Sequence, residues 1–530
     1  MDKKQFEKEL ETLGAFEISA KMLKMAKNNE RHNTYLNAGK GNPNWINTQA
    51  RLAFARLIEF GVEESKRTMD KESLGGYTCL EGIYERLISF LDETKDCDKF
   101  LKDAFTYCKD RLGMDKDVVV KEFSDAILGN NYPVPSRCLT NIEKILNAFL
   151  EKTLYNGVSL KDSTKVFPCE GGSAAICYIF NTLEKNGLLT KGDKIAMNTP
   201  IFTPYLQIPK LSMYDMVEVD LQESAATNWE IPLSALDVLY DESIKAFFLV
   251  NPSNPGSHAL SAELLEKIKE IVDVRKDLMI ISDDVYGTFV DGFQSVYSVA
   301  PRNTILVYSY SKLYGATGWR VGLIAMNEKN IYDDLLANLP EEKLKALDND
   351  YRIVTINPRA FPIVERFAAD SRSIGLYHTS GLSTPQQAMM ALFSLTCLLH
   401  KECDPYSETC KEIVRRRYHD LMSNLGLHED NGRLNSKYYA LLNVYELAET
   451  LYGKAFKAYL MENFEEIDFL ENLAQEEGVV LMEGVGFATK PGIVRVSQAN
   501  LVDEAYAKIA KRMKELMKEY YDEYLETLNS

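Results

Sequence analysis

The chain has 530 residues, of which 45% are hydrophobic and 26% charged, and its formal net charge at pH 7 is -17. This is the composition of a globular protein of two or more domains, and its acidic balance argues against a nucleic-acid partner. The start at Met1 lacks the apolar core of a signal peptide, and every apolar run is shorter than the roughly 20 residues of a membrane helix. The nine cysteines and six histidines form no metal-ligand motif. We therefore expect a cytoplasmic protein with free thiols, no membrane contact and no bound metal.

Apolar runs alternate with helical stretches in the middle of the chain. Strands are predicted over residues 195–197, 216–219, 246–250, 278–281 and 304–307. Helical stretches such as residues 261–274 lie between them. Continuous apolar strands that alternate with helices indicate an α/β fold, in which helices cover both faces of a mostly parallel sheet.

The pattern changes after about residue 385, where two long helical stretches lead to further strands. These strands are predicted over residues 439–444, 479–482 and 493–496, and a last amphipathic helix over residues 502–525. We read this part as a smaller α+β domain. The predicted organisation is an N-terminal arm of the small domain (1–50), a helical insertion (51–128), a large domain (129–385, with a second insertion at 327–372) and a small C-terminal domain (386–530).

One lysine stands out for its surroundings. Residues 309–322 read SYSKLYGATGWRVG and directly follow a predicted strand. A lysine that forms a Schiff base must be partly desolvated so that its amine can be neutral, and small neighbours let a cofactor approach Lys312. Arg320 could bind a phosphate with its planar fork, and Ser309 could donate a hydrogen bond. The alternative is an ordinary surface lysine, which the length of the motif disfavours.

This segment resembles the lysine attachment site of the class I/II aminotransferases, which are fold-type I enzymes dependent on pyridoxal 5'-phosphate (PLP). The resemblance implies that Lys312 is the catalytic lysine and that Ser309, Ser311 and Arg320 contact the cofactor. It also implies a large domain with a mostly parallel, seven-stranded sheet and a smaller C-terminal α+β domain. The two helical segments are then insertions on that framework.

Other segments resemble the family in the expected chain order. Two glycines open a helix after Glu170, and the backbone N–H groups of a helix N-terminus favour an anion. The resemblance assigns the PLP phosphate to Gly171, Gly172 and Ser173. In the turn TPIFTPY it assigns stacking on the pyridine ring to Phe202, for which a core phenylalanine is the alternative.

Polar residues follow two of the predicted strands, where α/β sheets bind their ligands. By resemblance, Asn254 and Tyr286 hydrogen-bond the phenolic oxygen of the cofactor. Asp283 pairs with the pyridine nitrogen, and this pairing keeps the ring protonated and strengthens it as an electron sink. The alternative for each residue is a turn or capping residue, and the joint pattern of these turns at strand C-termini disfavours it.

The same resemblance assigns the substrate contacts. Arg495, in the segment VRVS, matches the arginine that clamps the substrate α-carboxylate in a bidentate pair. Lys40 and Gly41 belong to the loop GKGNPN over the substrate, where the family usually has arginine at the position of Lys40. Tyr132, in NYPVP, matches a tyrosine that reaches the phosphate of a neighbouring subunit, which implies a homodimer or higher homo-oligomer.

A narrower resemblance spans nearly the whole chain from about Phe16. Residues 36–44, 74–77, 131–135 and 378–387 together resemble the L-aspartate 4-decarboxylases, the large members of this family. The resemblance implies β-decarboxylation of L-aspartate to L-alanine and CO2, with an aspartate aminotransferase side activity on amino acids and 2-oxo acids. It also places Thr379 near the substrate.

Two alternatives remain. One is an aspartate or aromatic aminotransferase without significant decarboxylation. The other is a regulator of transcription with a PLP-type fold, which the lack of a basic DNA-binding segment in the first 100 residues disfavours.

Overall fold

The computed structural model describes residues 14–70, 72, 74–222 and 230–529. The predicted absence of a signal peptide at Met1, and the first part of the predicted arm over residues 1–50, lie outside these ranges. The strands are β1 (Leu36–Asn37), β2 (Thr164–Cys169), β3 (Lys194–Thr199), β4 (Asp215–Asp220), β5 (Ile244–Val250), β6 (Met279–Asp283), β7 (Thr304–Ser309), β8 (Gly322–Asn327), β9 (Tyr439–Asn443), β10 (Val479–Val480), β11 (Met482–Glu483) and β12 (Ile493–Ser497).

The helices cover much of the remaining chain. They are α1 (Ala15–Ala26), α2 (Thr48–Thr68), α3 (Ile83–Phe90), α4 (Asp96–Asp110), α5 (Lys116–Leu128), α6 (Thr140–Leu154), α7 (Gly172–Lys185), α8 (Thr203–Ser212), α9 (Ala262–Val274), α10 (Val296–Val299), α11 (Ile331–Ala337), α12 (Glu341–Tyr351), α13 (Ile363–Asp370), α14 (Thr384–Leu398), α15 (Pro405–Leu425), α16 (Val444–Tyr452), α17 (Lys454–Asn463), α18 (Glu466–Gln475) and α19 (Glu504–Asn529).

Several helices begin at a residue whose side chain accepts a hydrogen bond from the first turn. Asn47 caps α2, Asp115 caps α5, Ser261 caps α9 and Asp404 caps α15. Such side chains satisfy backbone N–H groups that have no partner inside the helix. The sequence thus sets where these helices begin.

A seven-stranded sheet forms the centre of the molecule, with the order β2-β8-β7-β6-β5-β3-β4. Strands β3 to β7 are mutually parallel, while β8 runs antiparallel to both of its neighbours. This confirms the predicted mostly parallel sheet. Strands β2 and β8 were not predicted. Pro168 interrupts the strand pattern of β2, and an edge strand tolerates it because the missing N–H breaks no ladder bond on the open side.

Side chains of the central strands alternate between two apolar layers. In β5, Phe248 packs in a cluster with residues of α7 and α13, whereas Phe247 and Leu249 pack in a second cluster with residues of α9. Burial on both faces explains why the strand reads as one continuous apolar run.

The helical segment α2–α5 packs against α14, which also contacts α6. Helix α14 is buried along nearly its whole length, and its residues share one apolar cluster with residues of α2, α4 and α5. The predicted insertion over residues 51–128 therefore shares a core with the sheet-bearing part of the chain. The predicted domain boundaries stay predictions.

The C-terminal part forms a smaller α+β layer. An antiparallel sheet has the order β11-β12-β9, and α1 and α15–α19 contribute to its apolar cluster. The N-terminal segment joins this layer, because β1 pairs in parallel with β10. None of the helices in the described ranges has the combination of length and apolar character that a membrane crossing requires.

Gly315 is required in the loop that follows β7. Its φ is +58°, and a Cβ atom there would lie 1.8 Å from the carbonyl oxygen of Trp45. We expect Gly315→Ala to lower the free energy of unfolding by about 3 kcal/mol. Alanine disfavours the positive φ, and its Cβ would collide with the carbonyl oxygen of Trp45 unless the backbone moves. Urea unfolding of Gly318→Ala is the control, since a Cβ at Gly318 meets nothing within 4 Å. Equal midpoints for the two variants would contradict this packing.

Candidate active site

A cavity of about 210 Å³ opens at the carboxyl edge of the central sheet. Val250, Asp283 and Ser309, the last residues of β5, β6 and β7, all line it. Most of the residues predicted from the sequence line this cavity: Gly41, Gly172, Ser173, Phe202, Asn254, Asp283, Tyr286, Ser309, Ser311, Lys312, Arg320 and Arg495. The fold thus brings together residues that lie more than 400 positions apart in the chain.

Lys312 lies on the turn after β7, with its amine inside the cavity. Its Nζ donates a hydrogen bond to the carbonyl oxygen of Gly41 at 2.9 Å. The carbonyl of the next residue is held by two side chains, since Trp45 and Tyr406 each donate to Leu313 O at 2.9 Å. These bonds fix the backbone on which the lysine sits.

Arg320 and the start of α7 form one corner of the cavity. Gly171 precedes α7 with a φ of +83°, and no side chain caps the helix there. A Cβ atom at Gly171 would lie 2.6 Å from Nη2 of Arg320, so a side chain there would displace the guanidinium from its present position. Ser309 donates to Ser311 Oγ at 2.9 Å in the same corner. An uncapped helix N-terminus beside a guanidinium and two hydroxyls fits a phosphate group.

Asp283 lies buried at the end of β6, with only 4% of its surface exposed. Tyr205 donates its hydroxyl proton to Asp283 Oδ2 at 2.8 Å. Burial raises the pKa of Asp283 to about 6, although the bonds from Tyr205 and from the Val285 N–H and the charge of Lys312 favour the anion. A cationic partner would stabilise this carboxylate, and a protonated ring nitrogen is such a partner.

Arg495 is almost fully buried, at 1% exposure. Its Nη1 donates to Asn254 Oδ1 at 2.9 Å and its Nη2 to Gly39 O at 2.8 Å. Its guanidinium lies 4.2 Å from the ring centre of Tyr439 and 4.7 Å from that of Phe487. Its Nε is buried and has no hydrogen-bond partner in the described part of the chain. This donor fits a carboxylate in the cavity.

Two tyrosines that the sequence reasoning missed belong to the site. Tyr439 forms a hydroxyl–hydroxyl hydrogen bond of 2.9 Å with Tyr286, and Tyr205 bonds Asp283 as described. Burial opposes ionisation of Tyr439, but the charges of Lys312 and Arg495 outweigh it and lower its pKa. The signals were present: Tyr205 ends the turn that contains Phe202, and Tyr439 begins a predicted strand.

Four predicted residues do not line the cavity of their own chain. Gly171 lies just behind it, against Arg320. Lys40 is exposed, and Thr379 lies in a short 3-10 turn, where its hydroxyl bonds Leu376 O at 2.8 Å. Tyr132 is 67% exposed, with its ring 6.2 Å from that of His378. The structure leaves the predicted roles of Lys40, Thr379 and Tyr132 as predictions.

The chain belongs to the class I and II aminotransferases, because residues 117–513 match the family model described as Aminotransferase class I and II. It is 41% identical over 520 residues to the bifunctional aspartate aminotransferase and L-aspartate beta-decarboxylase of a Pseudomonas species, covering 97% of this chain and 98% of that protein. It is also 31% identical over 145 residues to an aspartate aminotransferase of Pyrococcus abyssi, covering 26% of this chain and 36% of that protein.

Solved structures share the fold at low sequence identity. An aromatic aminotransferase of Pyrococcus horikoshii matches with a TM-score of 0.56 and 17% identity, over 94% of this chain and 99% of that chain. The aspartate aminotransferase of Thermus thermophilus with maleate matches with a TM-score of 0.55 and 18% identity, over 94% and 95%. The fold is therefore that of the fold-type I aminotransferases, as predicted.

The burial of Asp283 leads to a prediction about how the stability of the protein depends on pH. Its folded-state pKa lies above the ordinary 3.8, so ionisation costs the cofactor-free protein stability as the pH rises from about 4 through 6. We expect the free energy of unfolding of Asp283→Asn at pH 7, measured with urea on the cofactor-free protein, to exceed that of the parent by roughly 3 kcal/mol. At pH 4 the difference should fall below about 1 kcal/mol. Replacing the exposed Asp215 with asparagine is the control. A less stable Asp283→Asn protein at pH 7 would contradict the prediction.

Proposed function

We propose that this chain is a PLP-dependent enzyme that converts L-aspartate to L-alanine and CO2 by β-decarboxylation and also transaminates aspartate. The observation that carries the proposal is the single cavity in which Lys312, Asp283, Arg320 and Arg495 converge. The 41% identity to the bifunctional Pseudomonas relative, over almost the full length of both chains, supports the choice of aspartate.

The residues around the cavity fit PLP. Lys312 would bind its aldehyde carbon, and Asp283 would pair with its ring nitrogen. The remaining contacts would be Phe202 on the ring face, Asn254 and Tyr286 at the phenolic oxygen, and Gly171, Gly172, Ser173, Ser309, Ser311 and Arg320 at the phosphate. When bound, PLP supplies an electron sink for the charge that develops when a bond to the substrate is broken.

Arg495 would hold the α-carboxylate of the substrate. Its free Nε and one Nη can form the two parallel bonds of a bidentate pair. Contacts with Asn254, Tyr439 and Phe487 fix the guanidinium plane before substrate arrives. Such preorganisation lowers the entropic cost of orienting the substrate.

Lys312 would move the proton at the substrate Cα. A general base must lie within hydrogen-bonding reach of the proton it takes. The amine enters the cavity between Gly41 and Tyr439: a Cβ at Gly41 would lie 3.2 Å from the Lys312 Nζ and 2.4 Å from the Tyr439 hydroxyl. Gly41 therefore leaves the space in which the amine can turn toward the substrate.

The charges in the cavity favour loss of the β-carboxylate. Among the residues that the structure describes around it, the cations are Lys312, Arg320 and Arg495, and each has another task. The exposed Lys40, which stands at the usual position of an arginine, does not reach the cavity of its own chain. A second carboxylate in the cavity of this chain is then short of a cationic partner. Its departure as neutral CO2 would leave the electron pair of the broken C–C bond on the remaining fragment, where PLP, when bound, would serve as the electron sink.

The second part of the proposal is a cytoplasmic homo-oligomer. Tyr132 and Val134 are 67% and 80% exposed, beside a groove that is also lined by Leu80 and Val118. An apolar and aromatic surface of this kind suits a contact with a second copy. Nine free thiols suit a reducing compartment.

One assay tests the activity. The protein with PLP and L-aspartate should release alanine and CO2 as main products, with some oxaloacetate when a 2-oxo acid is present. Lys312→Ala should abolish all three products and the visible absorbance of the bound cofactor, because the covalent link and the base are both lost. Lys191→Ala, at an exposed lysine, is the control. Oxaloacetate without CO2 from the parent protein would favour the alternative, a plain aminotransferase.

A second variant tests the substrate contact. Arg495→Lys keeps the charge but loses the planar fork, and a charge-assisted bond of this kind is worth about 2–3 kcal/mol. We expect the KM for L-aspartate to rise roughly 30- to 160-fold, with the absorbance of the bound cofactor unchanged. An unchanged KM would remove Arg495 from the substrate site.

A further inference from the structure

The loop that follows β5 carries Asn254 into the cavity and then turns away from it. Asn254 is 4% exposed and accepts the hydrogen bond from Arg495 at 2.9 Å. Three residues later, Ser257 has a φ of +70°, in the left-handed region that disfavours residues with a Cβ. Contacts with the rest of the protein must therefore hold this loop in its conformation.

Those contacts come from the segment that leads into β9. Ser257 O accepts from Ser436 N, and Ser257 Oγ accepts from Tyr439 N, both at 2.8 Å. Ala259 N donates to Leu434 O at 2.9 Å. The loop that delivers Asn254 and the segment that delivers Tyr439 thus form one hydrogen-bonded unit.

A buried ion pair also joins the loop after β5 to the segment that leads into β9. His258 Nε2 lies 2.5 Å from Asp430 Oδ2, and the two residues are 8% and 3% exposed. Asp430 also accepts from Gly432 N at 2.7 Å and from the Asn435 side chain at 2.9 Å. Asp430 therefore organises the turn over residues 430–435 as well as holding the histidine.

The hydrogen-bond partners of His258 indicate which of its ring nitrogens carry a proton. His258 Nδ1 lies 3.0 Å from Gly256 O, an atom that only accepts, so this nitrogen carries a proton. Burial opposes ionisation of Asp430, but the hydrogen bond and charge of His258 outweigh it and lower the pKa of Asp430. The pair is then an imidazolium that donates through both nitrogens to a carboxylate and a carbonyl.

We propose that the His258–Asp430 ion pair positions Asn254, and through it Arg495, for the α-carboxylate of the substrate. The inference rests on the proposed function. His258 and Asp430 do not line the cavity, so they are positioning residues. Without their charge, the loop is held more weakly, and Asn254 can move away from the guanidinium.

The test compares His258→Gln and Asp430→Asn as holoenzymes. Asp430→Asn keeps the shape and an acceptor for Gly432 N, but it loses the charge and replaces the oxygen that accepts from His258 and Asn435 with an amide nitrogen. We expect both variants to raise the KM for L-aspartate about tenfold, with kcat within about twofold of the parent, because an orienting contact is lost while Lys312 is unchanged. The double variant should match the single ones, since the two residues act as a pair.

A spectroscopic readout reports Asn254 itself. If Asn254 moves, the phenolic oxygen of the cofactor loses a hydrogen-bond donor and becomes more basic. The pH midpoint of the visible absorbance change of the bound cofactor should therefore rise in both variants. A merely structural role, remote from Asn254, would lower stability and leave this midpoint unchanged.

A neighbouring pair is the matched control. His419 and Glu429 also form a histidine–acid contact, at 2.9 Å, but His419 is exposed, and within the described residues neither side chain hydrogen-bonds the loop over residues 251–258. His419→Gln should leave the KM, the midpoint and the amide exchange of residues 251–259 unchanged. Additive effects in the double variant, or an unchanged KM and midpoint in both single variants, would overturn the proposal.

Hydrogen exchange separates this inference from the proposed function. Amides of residues 251–259 should exchange faster in both variants than in the parent, whatever the enzyme catalyses. If aspartate gives no product but exchange is still faster in the variants, the proposed activity is wrong, while the inference that the ion pair holds the loop stands. Unchanged exchange in an active enzyme overturns the inference alone.

Discussion

The site depends on the burial of one guanidinium. Arg495 is removed almost entirely from water, and such a charge is stable only where acceptors and aromatic faces replace its hydration. Gly39 O, Asn254 Oδ1 and the rings of Tyr439 and Phe487 supply that environment. They come from the N-terminal arm, the loop after β5 and the C-terminal sheet, so the arginine can be satisfied only when all three have assembled.

The central sheet positions the other side chains of the site at its carboxyl edge. Parallel strands β5, β6 and β7 end at one edge, and each ends in a residue that lines the cavity. Before these last residues, the strands are buried on both faces in apolar clusters. Polar groups gather at the edge where the apolar layers end. Lys312 and Arg320 lie at this edge too, because both belong to the loop that joins β7 to β8.

The parts of this arrangement that are local in the chain could be predicted from the sequence. The runs around Phe248 and Ile281 predict strands because burial on both faces removes polar residues from them, and the lysine motif stands out because small residues are concentrated there. Tyr439 and Tyr205 were missed because their importance comes from distance in space: one reaches Tyr286 and the other Asp283. The strand β2 was missed because Pro168 is acceptable only at a sheet edge, which the sequence does not reveal.

The site also carries an internal cost that a bound ligand would relieve. Asp283 is buried with a raised pKa, and Arg495 holds a donor without a partner in the described chain. Both features oppose folding on their own, since a buried charge and an unpaired donor each lose hydration. Places where a chain retains such costs are where function overrides stability. A cationic ring nitrogen and a substrate carboxylate would remove the two costs together, so cofactor and substrate binding should each stabilise the fold that binds them.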